Sequence, residues 1–441
     1  MSDEVLRLPI APTSAANLAS SGLRFELLKS SDDGFLAWFQ AMARGFYEPA
    51  SDDDALKIRL AAFADRRLSG VWDDTAADPK TPIATASSWL MPLTVPGGRD
   101  VPALAISTIT VAPTHRRRGI ARNLVEAELR TAAKLGYPIA MLTVSEATIY
   151  GRFGFAPVSI AAEWTVDTRR AVWTGPTPGG RVQLVSTEQV RDEGGSDIVE
   201  RARLRTPGQV GFDGHLWRRL FGLPGQSDLA AIRVARYDDA SGAPQGFVIY
   251  TPREENHETT ITVKYLAAAT DDAYSALWRF LFELDLVTTV KAGLRPAVEP
   301  FYWQIADARA ARADDVGDHL WARILDVKAA LEGRSYSASG RFVLEITDSL
   351  GYADGDWLLD IDEEGNGSVG PVDVAQGSGR GVGEDHRIAM SINELACVYL
   401  GATSFDTLVR AGRITERTPA AADAADAAFR SSVTPWTSIG F

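Results

Sequence analysis

A single cysteine, Cys397, leaves this 441-residue sequence unable to close an intramolecular disulfide. That shortage fits a reducing, cytoplasmic setting, and Cys397, within "ELACVYL", reads as a small buried apolar residue. No run of about 18 apolar residues occurs, so no membrane span is expected. The N-terminus, "MSDEVLRLPI", carries acid where a secretory leader needs a basic start and an apolar core, so no leader is expected. Histidine is scarce too. His115, His215, His257, His319 and His386 are scattered without the spacing of known metal motifs, and no metal is expected. Positive charge is short as well: 45 Lys and Arg against 58 Asp and Glu give −13. That balance argues against general nucleic-acid binding through a basic face. Its simplest reading is solubility, although a negative surface also favours encounter with cationic amines.

What is present is an ordinary globular composition, 45% apolar and 23% charged. The length exceeds one compact core and calls for about two to four domains. From Leu23 to about Val158, helix and strand patterns alternate. "GFLAWFQAMARGFY" predicts an amphipathic helix, "TPIATASSWLMPLTVPGG" a strand running into a turn, and "PALAISTITV" a strand that Pro113 ends. In "GIARNLVEAELRTAAKLGY", Ile120, Leu124, Ala127, Thr131 and Leu135 recur at helical spacing, with Lys134 and Gly136 marking the end. "PIAMLTV" follows as a buried strand, so neighbouring, mostly parallel strands are expected here. After a Pro/Gly break at "TGPTPGGR", "QGFVIYTPREENHETTITVKYLAAAT" predicts a strand pair. "DDAYSALWRFLFELDL" predicts a helix capped by Asp271 or Asp272. A third segment begins near Pro300 and ends in an Ala-rich helix, "AADAADAAFR", and an apolar tail, "SSVTPWTSIGF".

The chemistry concentrates at "VAPTHRRRGIARNL". A helix N-terminus offers unpaired N–H groups and about half a positive charge, so it attracts anions. Arg116, Arg117 and Arg118 add charge before it, and Gly119 allows close backbone approach to a phosphate. The spacing is neither that of a P-loop nor that of a dinucleotide fold. Just past the next strand, "SEATIYGRFGF" places Tyr150 before a Gly-Phe. A phenol of pKa about 10 stays protonated at neutral pH and can return a proton to a departing thiolate.

Both stretches resemble the signatures of GNAT N-acetyltransferases, and more closely those of the Eis (enhanced intracellular survival) family. "EWTVDTRR", "ALWRFLFELD", "VYLGA" and the terminal Phe extend the likeness along nearly the whole sequence. The resemblance implies an α/β (α+β) fold: a catalytic GNAT domain (1–165), a second GNAT-like domain without cofactor (166–299), and a sterol-carrier-protein-like domain (300–441). It implies an acetyl-CoA-dependent enzyme that acetylates primary amines of aminoglycosides or similar polycations, and a homohexamer built as two trimers. Protein lysines or polyamines are the alternative acceptors. A lipid-binding scaffold with a vestigial transferase is an alternative of another class. For acetyl-CoA it implies Ile109, Thr110 and Val111 on the strand, Arg116, Arg117, Arg118, Gly119, Ile120, Ala121 and Arg122 at the helix start, and Ser145. It makes Tyr150 the general acid and the α-carboxylate of Phe441 the base. An α-carboxylate of pKa about 3.5 needs burial or a water relay for that role. Phe46, Glu48 and Thr108 are the implied acceptor-pocket residues, with Tyr47 between the first two. Gly440 stands where family members can carry an acid, and Thr108 where an aromatic can stand. "SDDD", Ser51 to Asp54, reads as a solvated helix start.

Overall fold

A computed structural model describes residues 4–48, 60, 63–222, 229–372 and 385–441. Three sheets organise it. The strands of the first half are β1 (Leu23–Leu28), β2 (Arg67–Asp73), β3 (Ala84–Val95), β4 (Arg99–Val111), β5 (Ile139–Thr143), β6 (Ala156–Pro157) and β7 (Ile160–Asp167). Then come β8 (Arg181–Val185), β9 (Arg233–Asp238), β10 (Pro244–Glu255), β11 (Glu258–Ala268), β12 (Val287–Pro296), β13 (Ala311–Asp318) and β14 (Leu320–Ile324). The third part carries β15 (Gly340–Thr347), β16 (Gly355–Ile361), β17 (Gly367–Pro371), β18 (His386–Ser391) and β19 (Thr415–Glu416).

The first sheet runs β1-β2-β3-β4-β5-β14-β6, the second β13-β7-β12-β11-β10-β9-β8, and the third β17-β16-β15-β18-β19. The sheets exchange strands. β7 lies between β13 and β12 of the second sheet, while β14, far later in sequence, lies between β5 and β6 of the first. Two expected boundaries therefore move. Residue 165 falls inside β7, and a third domain starting at 300 would include β13 and β14, which belong to the first two sheets. Periodicity defines a strand but not the sheet whose edge it completes.

The expected parallel pairing is present at one place in the first sheet, where Ala103–Ala105 of β4 face Ile139–Met141 of β5. The helix Ile120–Lys134 crosses over between them and buries Leu124, Val125 and Leu129. It is pinned to the sheet by Glu128, which is buried, accepts from the Ser88 hydroxyl at 2.6 Å and faces Arg67 at 3.5 Å. Burial pushes the Glu128 carboxyl up, and Arg67 and Ser88 offset only part of that. In the second half, the helix Asp271–Phe282 is capped by Thr270, whose hydroxyl accepts from Ala273 N at 3.1 Å. Asp271 and Asp272 sit instead in the first turn, where the helix dipole also favours them. Cys397 is half-buried on the third-domain helix Ile392–Tyr399 and packs against the core, with burial raising its thiol to about 11. Among the described residues, no helix is long and apolar enough to cross a membrane, and no three metal-ligating side chains cluster.

Candidate active site

The central feature is a gap in the first sheet. β4 and β5 pair only over residues 103–105 and 139–141, then diverge. A register shift between Thr85 and Ser87 of β3 bends β4, and opposite it Thr108 takes a left-handed φ of 53°. This bulge is held by hydrogen bonds: the Thr85 hydroxyl donates to the Thr108 carbonyl at 2.8 Å, and the Thr108 hydroxyl to Ser87 Oγ at 2.9 Å. Beyond it, Ala112 N donates to Ile83 O at 2.7 Å on the β3 side. Alternation along the strand therefore turns the backbone groups of Ile109 and Val111 toward the side that β5 has vacated. The Thr110 side chain is already engaged, 2.7 Å from Thr85 Oγ1, so Thr110 offers backbone only.

At the far end of β4 the basic knot folds as a one-turn 3-10 helix, Pro113–His115, before the helix Ile120–Lys134. Arg117 has φ 63° and Gly119 φ 75°, and left-handed residues alternating with others fold successive N–H groups into an anion-binding concavity. Arg116, Arg117 and Arg118 are exposed, and the Arg122 side chain, 69% exposed, lies 3.4 Å from Glu126. Asp73 balances part of the knot, 3.2 Å from His115 Nε2 and 3.7 Å from Arg118 Nη1. Its carboxyl is lowered to about 2 by the Thr75 hydroxyl and amide, with His115 adding to them. Among the described residues, Arg116 and Arg117 make no ion pair, so both exposed guanidinium groups are open to an anion. Ile120 is buried in the core, so its part is limited to its backbone. Ala121 is half-buried on the first turn, and Ser145 is exposed past β5.

Past β5, Tyr150 ends the short helix Ala147–Tyr150 and packs edge-on against Phe155, ring centroids 6.1 Å apart. Burial, with the nearby Glu146 carboxylate, holds its phenol above the ordinary value, so it is a proton donor at neutral pH.

The C-terminal tail enters the same gap. Phe441 N donates to Thr143 Oγ1 at 3.1 Å, and the Thr143 hydroxyl donates to Phe441 O at 2.7 Å. The Phe441 ring meets Trp89 edge-on at 5.7 Å. Upstream, His319 Nε2 donates to Ile439 O at 2.8 Å, Arg219 donates to Gly440 O, and the Thr437 hydroxyl donates to Gly208 O at 2.8 Å. Thr437 is fully buried. Beside the tail, Arg66 lies 3.7 Å over the Trp89 ring and 3.5 Å from Asp213. Its Nε is buried without a hydrogen bond among the described residues, and burial lowers the guanidinium to about 10. Of this set, only the terminal Phe was singled out in the sequence. Thr143, Trp89, Arg66, Arg219 and His319 are far apart along the chain and carry no motif.

The residues expected at the acceptor pocket lie at and after the end of the helix Phe35–Gly45, and on β4. A Cβ on Gly45 would come within 2.5 Å of the Thr110 side chain, so the end of the helix Phe35–Gly45 presses on β4. Phe46, 44% exposed, and Tyr47, 83% exposed, follow directly after that contact. Glu48 is exposed in the same turn, its amide donating to Ala43 O at 2.9 Å. Thr108 is a bulge residue bonded to Ser87 rather than a free wall. Ser51 to Asp54 lie outside the described residues.

Comparison with known proteins bears on the fold and the family. Family models of acetyltransferase (GNAT) domains match residues 27–158 and 208–324, and a sterol carrier protein domain matches residues 327–438. The N-acetyltransferase Eis of Mycobacterium tuberculosis is 32% identical over 428 residues, 94% of this chain and 99% of that protein. An uncharacterized N-acetyltransferase of Streptomyces avermitilis is 34% identical over 411 residues, 90% of this chain and 94% of that one. The crystal structure of Eis1 from Mycobacterium abscessus superposes with a TM-score of 0.78 at 30% identity, covering 95% of this chain and all of that one. With tandem GNAT domains, a sterol-carrier-like third domain and a likeness spanning nearly its full length, the chain belongs to the Eis family of GNAT N-acetyltransferases.

Proposed function

We propose that the enzyme transfers acetyl directly from acetyl-CoA to a primary amine, with Tyr150 as general acid and the Phe441 α-carboxylate as base. The observation that carries this reading is the gap where β5 leaves β4: the left-handed turn at Arg117 and Gly119 follows β4, Thr143 at the end of β5 is hydrogen-bonded to residue 441, and Tyr150 lies on the short helix just after β5. Arg116 to Gly119 would hold the diphosphate, with Arg122 and Ser145 at the rim. The open backbone edge at Ile109 and Val111 would align the amide-rich arm of the donor. Acetyl-CoA supplies the thioester. The Phe441 carboxylate takes a proton from the acceptor ammonium, and the freed amine attacks the thioester carbon. A backbone N–H of β4 steadies the carbonyl oxygen, the carbon–sulfur bond breaks, and Tyr150 protonates the sulfur. As the amide forms, the attacking nitrogen sheds its second proton to solvent; an amide and a free thiol leave, and the proton held by Phe441 passes through solvent to restore the phenol.

Among acceptors, aminoglycosides and similar polycationic amines stand first by family, with protein lysines and polyamines behind them. Charge near the tail bears on that order. Arg66 and Arg219 face Asp213 there, and Gly440 supplies no carboxylate, which weighs toward amines of modest positive charge. The cytoplasmic setting and the homohexamer belong to the same proposal, and light scattering measures the latter.

Thiol release from acetyl-CoA across amino sugars, polyamines and lysine peptides tests the reading. Tyr150→Phe should lower kcat by roughly 10²–10⁴-fold while donor binding by calorimetry stays intact. Wild-type turnover in that variant would remove the acid assignment.

A further inference from the structure

Asn393 belongs to the third domain, on the first turn of the helix Ile392–Tyr399, yet its side chain reaches the catalytic turn. Its Nδ2 donates to Gly151 O at 2.9 Å and to Phe155 O at 2.8 Å. Both partners are carbonyls and can only accept, so the orientation of the amide is fixed by its surroundings. The two carbonyls bracket the turn that follows Tyr150: a 3-10 helix, Gly151–Phe153, then Gly154 at φ 85° and Phe155. A second brace lies alongside. Arg323 Nη2 grips both oxygens of Asp348 at 2.7 and 2.6 Å, and Leu350 and Tyr352 from the same third-domain loop pack on the apolar cluster that contains Tyr150.

Among the described residues, no hydrogen bond holds the Tyr150 hydroxyl itself. Its direction is therefore set by its own backbone and by the Phe155 ring, and Asn393 fixes the far end of both.

We propose that Asn393 is a positioning residue for acetyl transfer, holding the Gly151–Phe155 turn so that the Tyr150 phenol stays aimed at the departing sulfur. The third domain thereby becomes a working part of the transferase site. This rests on Tyr150 being the general acid.

The test is a double-mutant cycle on the full-length enzyme with acetyl-CoA and an amine acceptor. Asn393→Ala should lower kcat roughly tenfold or more while the KM for acetyl-CoA stays within about twofold, because a phenol displaced by a fraction of an ångström transfers its proton poorly. Asn393→Asp, of the same shape but without donors, should fall at least as far. In a Tyr150→Phe background, Asn393→Ala should cost little more, since the group it aims is gone. Equal losses in both backgrounds would mean general structural support, and unchanged kcat would mean no role; either result overturns the proposal. Full turnover in Tyr150→Phe alone would end the acid assignment and the positioning role together. An impaired Tyr150→Phe beside an unimpaired Asn393→Ala would end only the latter.

Discussion

The hydroxyl of Thr143 closes a two-bond ring with residue 441, accepting from the Phe441 amide at 3.1 Å and donating to an oxygen of its α-carboxylate at 2.7 Å. Thr143 at the end of β5 thus holds the last residue of the tail, whose ring packs on the edge of Trp89, while His319 and Arg219 hold the two residues before it. Thr143→Val keeps the shape and removes both bonds. It should lower kcat roughly tenfold or more, the size of one neutral and one charge-assisted hydrogen bond, with acetyl-CoA affinity unchanged. Steady-state kinetics beside calorimetric donor titration checks this.

Gly119 tests the anion turn. Space around it is open, since an added Cβ would meet only Asn123 Nδ2 at 3.9 Å, so any effect of substitution comes from its φ of 75°. A β-branched side chain is strained there by about 1–2 kcal/mol. Gly119→Val should raise the acetyl-CoA KM roughly tenfold and leave kcat at saturating donor nearly intact.

Gly154 combines strain with collision. At φ 85°, an added Cβ would sit 2.5 Å from Arg323 Nε, and that guanidinium is buried and locked onto Asp348, so it has no room to retreat. Gly154→Ala should cost about 2 kcal/mol or more, seen as a lower unfolding midpoint in urea, with activity falling alongside.

Acid stability should depend on Asp348. Burial raises its pKa, but the Arg323 bonds and charge and the amides of Ala353 and Leu350 outweigh that, leaving it below the ordinary value. The folded pKa thus lies beneath the unfolded one. The stabilisation is present above the unfolded carboxylate pKa, about 3.9, and is lost as pH falls toward the folded value. Asp348→Asn should be less stable at neutral pH and lose less on acidification between pH 5 and 3, followed by the melting midpoint.

Local features were legible in the sequence where one stretch carried the whole pattern. The helix Ile120–Lys134, the basic turn before it, the β10–β11 pair and the Ala-rich helix Ala421–Phe429 all follow from periodicity and breakers. Features made by meetings between distant stretches were not. Nothing in "HLWARI" says that β14 completes the first sheet, and nothing near Asn393 points to Tyr150. Thr108 shows the same limit: a threonine in a β-rich run gives no sign of a left-handed bulge, because the bulge is created by the register of β3. The cap at Thr270 was missed for a smaller reason. Threonine, aspartate and aspartate follow one another there, and composition alone does not say which of the three stays outside the helix.

The placement of β14 also bears on how the molecule is made. A nascent chain leaving the ribosome carries β5 with one bare edge until residues 320–324 emerge, long after the transferase motifs have been synthesised. The catalytic half therefore waits for its closing strand, and a translation product that stops within the second domain exposes a sticky ribbon of unpaired amides.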